Sequence, residues 1–235
     1  MNDKRLSRRG GTDDVSAFLE KVASAPLIKP AGERGRLIFA LDATASREPT
    51  WERACRIQGQ MFAAASASGG LEIQLCYYRG YAEFDASLWL RQADDLVKRM
   101  TAVHCLGGYT QIAKLLRHAI GETRIKKVDA VVFIGDCIEE NAGRLCELAG
   151  QLGILTVPVF VFQEGHDPVA ERTFRQIARL TRGAFCHFDA GSAQELRDLL
   201  SAVAVYASGG RRALENFGRR HGGIALQLTH QMDRG

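Results

Sequence analysis

Three stretches of the chain are apolar at almost every position: Arg36–Asp42, Val128–Gly135 and Ile154–Phe162. A strand that is apolar on both of its alternating faces must be covered on both, as in a parallel sheet sandwiched between helices. The intervening segments supply the helices. Trp51, Ala54, Cys55, Gln58, Met61, Phe62 and Ala65 recur at helical spacing behind Pro49, and Ser68-Gly69-Gly70 ends that run. Further helices are expected from Trp89 to Val103, from Ile112 to Ile120, from Ala142 to Leu152, over Val169–Thr181 and over Ala193–Tyr206. Leu71–Tyr78 alternates, and Arg79-Gly80 reads as a hairpin tip leading into an antiparallel edge strand, Tyr81–Phe84. Ala184–Phe188 is a short strand, and Pro158 predicts a bulge or an edge position for the strand that contains it. The expected fold is therefore α/β: a doubly wound, mostly parallel, Rossmann-like sheet with helices on both faces and one antiparallel edge strand.

This pattern occupies residues 35–207. An N-terminal extension, residues 1–34, carries a short amphipathic helix near Val15–Val22, and a basic C-terminal extension, residues 208–235, follows a Gly209-Gly210 hinge. At 235 residues, 46% hydrophobic and 25% charged, the chain has the composition of a globular protein, which excludes wholesale disorder. No run reaches the roughly 18 apolar residues of a membrane helix, and no apolar segment follows the basic N-terminus as in a secretory signal. The cytoplasm is the expected location. The six cysteines, Cys55, Cys76, Cys105, Cys137, Cys146 and Cys186, form no Cys-x-x-Cys pair and read as reduced packing thiols. The histidines show no ligand spacing, and neither a P-loop nor a Gly-x-Ser-x-Gly elbow is present.

Ligands of open parallel sheets bind at the carboxyl ends of the strands. Asp42-Ala43-Thr44-Ala45-Ser46 follows the first strand, and Asp136 follows the strand that begins at Val128. Between them, Gly107-Gly108-Tyr109-Thr110 presents a hydroxyl at a helix start, with a glycine pair that lets backbone approach an ion. Two carboxylates and three hydroxyls are hard oxygen donors, a set suited to Mg²⁺ or Mn²⁺. Glu139, Glu140 and Glu164 read as solvated loop or helix-start charges, with tuning of a nearby ion as the alternative.

These three pieces, in this order, resemble the von Willebrand factor A (vWA) family and its metal-ion-dependent adhesion site (MIDAS), with Thr44 standing where the family has its first serine. The resemblance covers roughly Arg36 to Tyr206. It implies a non-enzymatic, metal-binding interaction module of the intracellular bacterial type. Thr44, Ser46 and Thr110 would ligate the ion, Asp42 and Asp136 would act directly or through water, and an Asp or Glu of a protein partner would complete the shell. An AAA+ ATPase or another assembly machine is the implied partner class. The alternatives are a Mg²⁺-dependent phosphohydrolase or phosphotransferase with Asp42 or Asp136 as nucleophile, and RNA binding through the basic ends. Both are weakened by sequence: no lysine lies in the motif loops, and few aromatics accompany the terminal arginines.

Overall fold

The structure is a computed structural model in which residues 34–47, 70–188, 198, 200–210, 213 and 216 are described. The helix expected behind Pro49, the Val15–Val22 helix, Cys55 and the basic segments containing Arg5, Arg8, Arg9, Arg211, Arg212, Arg219 and Arg220 lie outside these residues.

Six strands form one sheet: β1 (Gly35–Asp42), β2 (Leu71–Arg79), β3 (Glu83–Ala86), β4 (Ala130–Gly135), β5 (Val159–Glu164) and β6 (Phe185–Phe188). Their order is β3-β2-β1-β4-β5-β6, and only the β2–β3 pair is antiparallel. The helices are α1 (Ala93–Thr101), α2 (Ile112–Ile125), α3 (Ala142–Ile154), α4 (Pro168–Leu180) and a helical run over residues 200–210.

The two-sided apolar strands divide as their period dictates. Leu37, Phe39 and Leu41 of β1 join Val132 and Ile134 of β4 in one core, covered by Leu96 and Met100 of α1 and by Val203, Tyr206 and Ala207. Ile38 and Ala40 join Val131 and Phe133 in the second core, against α2, α3 and α4. A doubly wound α/β sheet with one antiparallel edge is thus the observed fold.

Several boundaries differ from expectation. The helix expected from Trp89 begins at Ala93, because residues 87–90 stay extended against β2: Ser87 N–H bonds to Leu75, and Leu90 exchanges both backbone bonds with Ile73. The edge strand is Glu83–Ala86, shifted by a turn with Gly80 at φ +59°. The run Ile154–Phe162 is not one strand. Its start closes α3, and Thr156 turns at φ +55°, where Lys127 Nζ bonds to its carbonyl. Pro158 precedes β5, where only its carbonyl is used, by Val131 N–H. A missing donor costs nothing there, so β5 is an interior strand rather than an edge. Gly209 and Gly210 lie within the helical run, and Gly210 takes φ +67°, the left-handed conformation that suits a helix end. Among the described residues no helix is long and apolar enough to cross a membrane.

At the amino ends of the strands, Arg36 is buried. Its guanidinium meets Glu122 at 3.2 Å and Glu72 at 3.9 Å, bonds to the Lys126 carbonyl, and lies 3.7 Å from the Trp89 ring centroid. Trp89 Nε1 donates to the same Glu122 oxygen at 2.8 Å.

Candidate functional site

The strand order reverses between β1 and β4, because β2 and β3 extend one way from β1 and β5 and β6 the other. A crevice is expected outside the carboxyl ends of those two strands, since the connections leave them in opposite directions. Asp42 is the last residue of β1, and Asp136 immediately follows β4. Both therefore fall at the reversal.

Asp42 is fully buried. Its Oδ1 accepts Thr44 N–H at 2.8 Å and its Oδ2 accepts the Tyr78 hydroxyl at 3.0 Å. Burial pushes the Asp42 carboxyl above the usual range, the bonds from Thr44 and Tyr78 pull it back, and the nearby Asp136 carboxylate pushes it up again. Thr44 is buried, and its hydroxyl lies 3.1 Å from that of Ser46, which is exposed on the 3-10 turn Ala45–Arg47. The Asp-x-Thr-x-Ser segment thus gathers one carboxylate and two hydroxyls within a single turn. Asp136 Oδ1 is buried and has no hydrogen-bond partner.

Thr110 reaches this end of the sheet on the loop before α2. Leu106 N–H bonds to the Ala43 carbonyl at 3.0 Å, which ties that loop to the residue beside Asp42. The loop is also tied to the β2–β3 turn: Tyr109 N–H bonds to Gly80 O at 3.1 Å, Gln111 Nε2 to Arg79 O at 3.1 Å, and Lys114 Nζ to Ala82 O at 2.7 Å. The glycine pair serves this packing. A Cβ on Gly108 would overlap the Gly80 carbonyl, whereas one on Gly107 would meet nothing within 4 Å. The close approach expected toward an ion is therefore, at Gly108, an approach to backbone. Gly108→Ala should displace the loop and destabilise the protein by about 1–3 kcal/mol, while Gly107→Ala should stay within about 0.5 kcal/mol of the parent; urea titration of both variants checks the contrast.

Two further groups were hidden from sequence reasoning. Tyr78 stands beside Asp42 because parallel register pairs the two residues. Glu139 is exposed, as a solvated charge is, and Glu140 is half-buried; both bind the start of α2 rather than that of the helix that follows them. Thr110 N–H donates to Glu139 Oε2 at 2.8 Å, and Glu139 N–H donates to the Thr110 hydroxyl at 2.9 Å. Glu140 accepts Ile112 N–H at 2.5 Å and Ala113 N–H at 2.9 Å. The signal for this role was the absence of an acidic residue from the first turn of α2, whose N-cap Gln111 makes no side-chain cap bond.

Cys137 follows Asp136, and burial together with that carboxylate pushes its thiol up to about 12. It stays protonated near neutral pH, as a packing thiol does. No disulfide joins the described cysteines. Among the described residues no three His, Cys, Asp or Glu side chains gather as a metal cluster. The set at this rim is instead two carboxylates and hydroxyls. Two mutually repelling carboxylates, one with an orphaned oxygen, lack positive charge, and this donor chemistry fits a hard divalent cation.

No family model and no curated protein sequence matches the chain. Solved structures do. The von Willebrand factor type A protein from Catenulispora acidiphila aligns at TM-score 0.59 and 14% identity, over 73% of this chain and 43% of that one. The SpRpn10 VWA domain aligns at 0.57 and 14%, over 72% and 94%. Proximal thread matrix protein 1 from the mussel byssus, with a zinc-occupied MIDAS motif, aligns at 0.59 and 13%, over 75% and 47%. The alignment thus spans less than half the length of the first and third of these chains. At such identities the likeness is one of fold, and the fold is that of vWA domains.

Proposed function

We propose that this chain is a divalent-cation-dependent protein-interaction module. Asp42, Thr44, Ser46, Thr110 and Asp136 would hold Mg²⁺ or Mn²⁺, and the ion would bind an Asp or Glu carboxylate of a partner protein. The observation that carries this reading is the orphaned, buried Asp136 Oδ1 beside the buried Asp42 carboxylate, at the reversal of strand order. A bound cation would supply the missing positive charge and an electrophilic centre for an external carboxylate. The chain's own residues do the rest. Tyr78 and Thr44 N–H hold the Asp42 carboxylate in place, and the turn over Ala45–Arg47 sets the two hydroxyls side by side. Tyr109, next to Thr110 in the chain, and Tyr81, its ring centroid 5.5 Å from that of Tyr109, are both exposed and would offer apolar area to the same partner. The zinc-occupied MIDAS motif of the mussel protein supports a cation at the corresponding rim. An AAA+ ATPase or another assembly machine in the cytoplasm is the partner class we infer from the resemblance to intracellular vWA proteins.

The phosphoryl-transfer alternative with Asp42 as nucleophile is disfavoured by geometry. Asp42 is fully buried with both oxygens engaged, so it lacks the in-line access a nucleophile needs. Lys114 is held by Ala82 O and Gln111 Oε1.

The test is capture of partner proteins in Mg²⁺ and in EDTA, using the parent chain and Thr110→Ala. The expected result is capture that EDTA abolishes and Thr110→Ala weakens at least tenfold, with the cation-free variant still folded and its melting temperature lowered by no more than the lost bond from Glu139 N–H accounts for. Capture indifferent to both would place recognition on another face.

A further inference from the structure

Two buried atoms near the carboxyl ends of β5 and β6, Gln163 Oε1 and His187 Nδ1, have no hydrogen-bond partner. Parallel register pairs these two residues, so their side chains leave the same face of the sheet, the face on which Val161 and Phe185 meet α4. Both atoms are acceptors. Gln163 is fully buried, and its Nε2 donates to the Asp167 carbonyl at 2.9 Å, which leaves the amide oxygen as the free end. His187 Nε2 lies 3.2 Å from Glu171 Oε2. Arg175 donates to the other Glu171 oxygen at 2.8 Å and holds that carboxyl below its usual range, so it is ionised near neutral pH. An ionised carboxylate can only accept, so it favours the proton on Nε2 and leaves the lone pair of the neutral ring on Nδ1. Two desolvated acceptors side by side are costly unless something electron-poor meets them. The exposed His166, on the turn between β5 and α4, brings a second imidazole to the same place, its ring centroid 5.5 Å from that of His187.

We propose that His166, His187 and Gln163 form a second cation site, separate from the rim at β1 and β4, for a divalent transition-metal ion of the class that imidazole binds, Zn²⁺ or Ni²⁺. The reading does not depend on that of the rim. Two imidazoles that ligate one ion at about 2.1 Å have their ring centroids roughly 5 Å apart, close to the separation seen. The Gln163 oxygen is a third donor, and water fills the remaining positions. Glu171 is a positioning residue: a carboxylate at the far nitrogen of a ligating imidazole fixes its tautomer and raises its basicity. The start of a helix repels a cation, but Asp167 Oδ1 takes Val169 N–H and Ala170 N–H and offsets that field at the start of α4. The donors include only two side chains of the His, Cys, Asp and Glu types, so they form no three-residue cluster of those types.

Zn²⁺ binding to the full chain is measured by titration calorimetry in excess Mg²⁺ for the parent, His166→Gln, His187→Gln, Glu171→Gln and Asp42→Asn. His166 is exposed, so its variant keeps the fold whatever the more buried His187 requires. Expected is a Zn²⁺ site whose affinity falls about tenfold or more in His166→Gln, His187→Gln and Glu171→Gln and stays within about twofold of the parent in Asp42→Asn. The imidazole nitrogen resonances of His166 and His187 should shift together as Zn²⁺ is added. A parent that binds no Zn²⁺ would overturn the proposal and leave the two acceptors to a buried water. Binding that both histidine variants retain would overturn it as well, and if Asp42→Asn removes that binding, the ion belongs to the rim. An affinity unchanged in Glu171→Gln would overturn the positioning role of that carboxylate.

Discussion

Asp42→Asn is expected to abolish stabilisation by Mn²⁺ or Mg²⁺ while leaving the cation-free protein at least as stable as the parent. The asparagine keeps the local geometry: its oxygen accepts Thr44 N–H, and its amide donates to a Tyr78 hydroxyl turned to accept. It removes a carboxylate whose ionisation is opposed by burial and by Asp136. The sign follows from that direction. A carboxyl raised in the folded state binds its proton more tightly there than in the unfolded chain, so cation-free stability falls as pH rises from the ordinary carboxylate range through the raised value. The variant lacks this contribution and should show a flatter pH dependence above that range. With the cation the order reverses. At a concentration one hundred times its dissociation constant, a ligand specific to the native state contributes about 2.7 kcal/mol, which is about 5–10 °C in melting temperature for a domain of this size. The parent should gain this and Asp42→Asn should not. Thermal unfolding of both chains with Mn²⁺ and with EDTA checks the prediction; equal gains in the two would show that Asp42 is no part of a cation site.

The largest loss of stability is expected at the opposite end of the sheet, from Arg36→Ala. The Arg36 side chain is 5% exposed, and its charge is shared between Glu122 and Glu72, which are themselves mostly buried. Burial lowers the Arg36 pKa and the surrounding carboxylates raise it, so the group is held charged by its partners. Removing one member of such a buried set leaves uncompensated charge and costs about 3–5 kcal/mol, to which the lost stacking on Trp89 adds. The melting temperature should fall by about 10 °C or more. Arg36→Met combined with Glu122→Gln should recover part of the loss, since it removes charge from both sides. Because Arg36 lies at the amino end of β1 and Asp42 at its carboxyl end, cation affinity should be the same in any Arg36 variant that remains folded.

Part of the candidate site is legible in the amino-acid sequence. Asp42, Thr44 and Ser46 belong to one turn, so their proximity follows from spacing alone. That Asp136 joins them required only that two two-sided apolar strands lie side by side at the reversal of strand order. Tyr78 could not be read this way, because its role depends on the register that sets it opposite Asp42. Nor could the role of Glu139 and Glu140, which cap a helix that begins 27 residues earlier in the chain than Glu139. Capping patterns in sequence are local, and this cap comes from another loop.

The glycine pair and Pro158 carry the same lesson. Gly108 marked a close approach, but the approaching group is the carbonyl of Gly80, on another turn. Pro158 marked a missing donor, and only its place just ahead of β5, with its carbonyl used by Val131, shows that no donor was needed. Composition and periodicity act between neighbours in the chain, and they determined the α/β class, the two-sided burial of β1, β4 and β5, and the hard-oxygen turn after β1. Register, interloop hydrogen bonds and the buried charge of Arg36 arise between residues tens of positions apart. Only the packed sheet decides which of these meet, because an isolated strand or loop can satisfy its polar groups equally well with water.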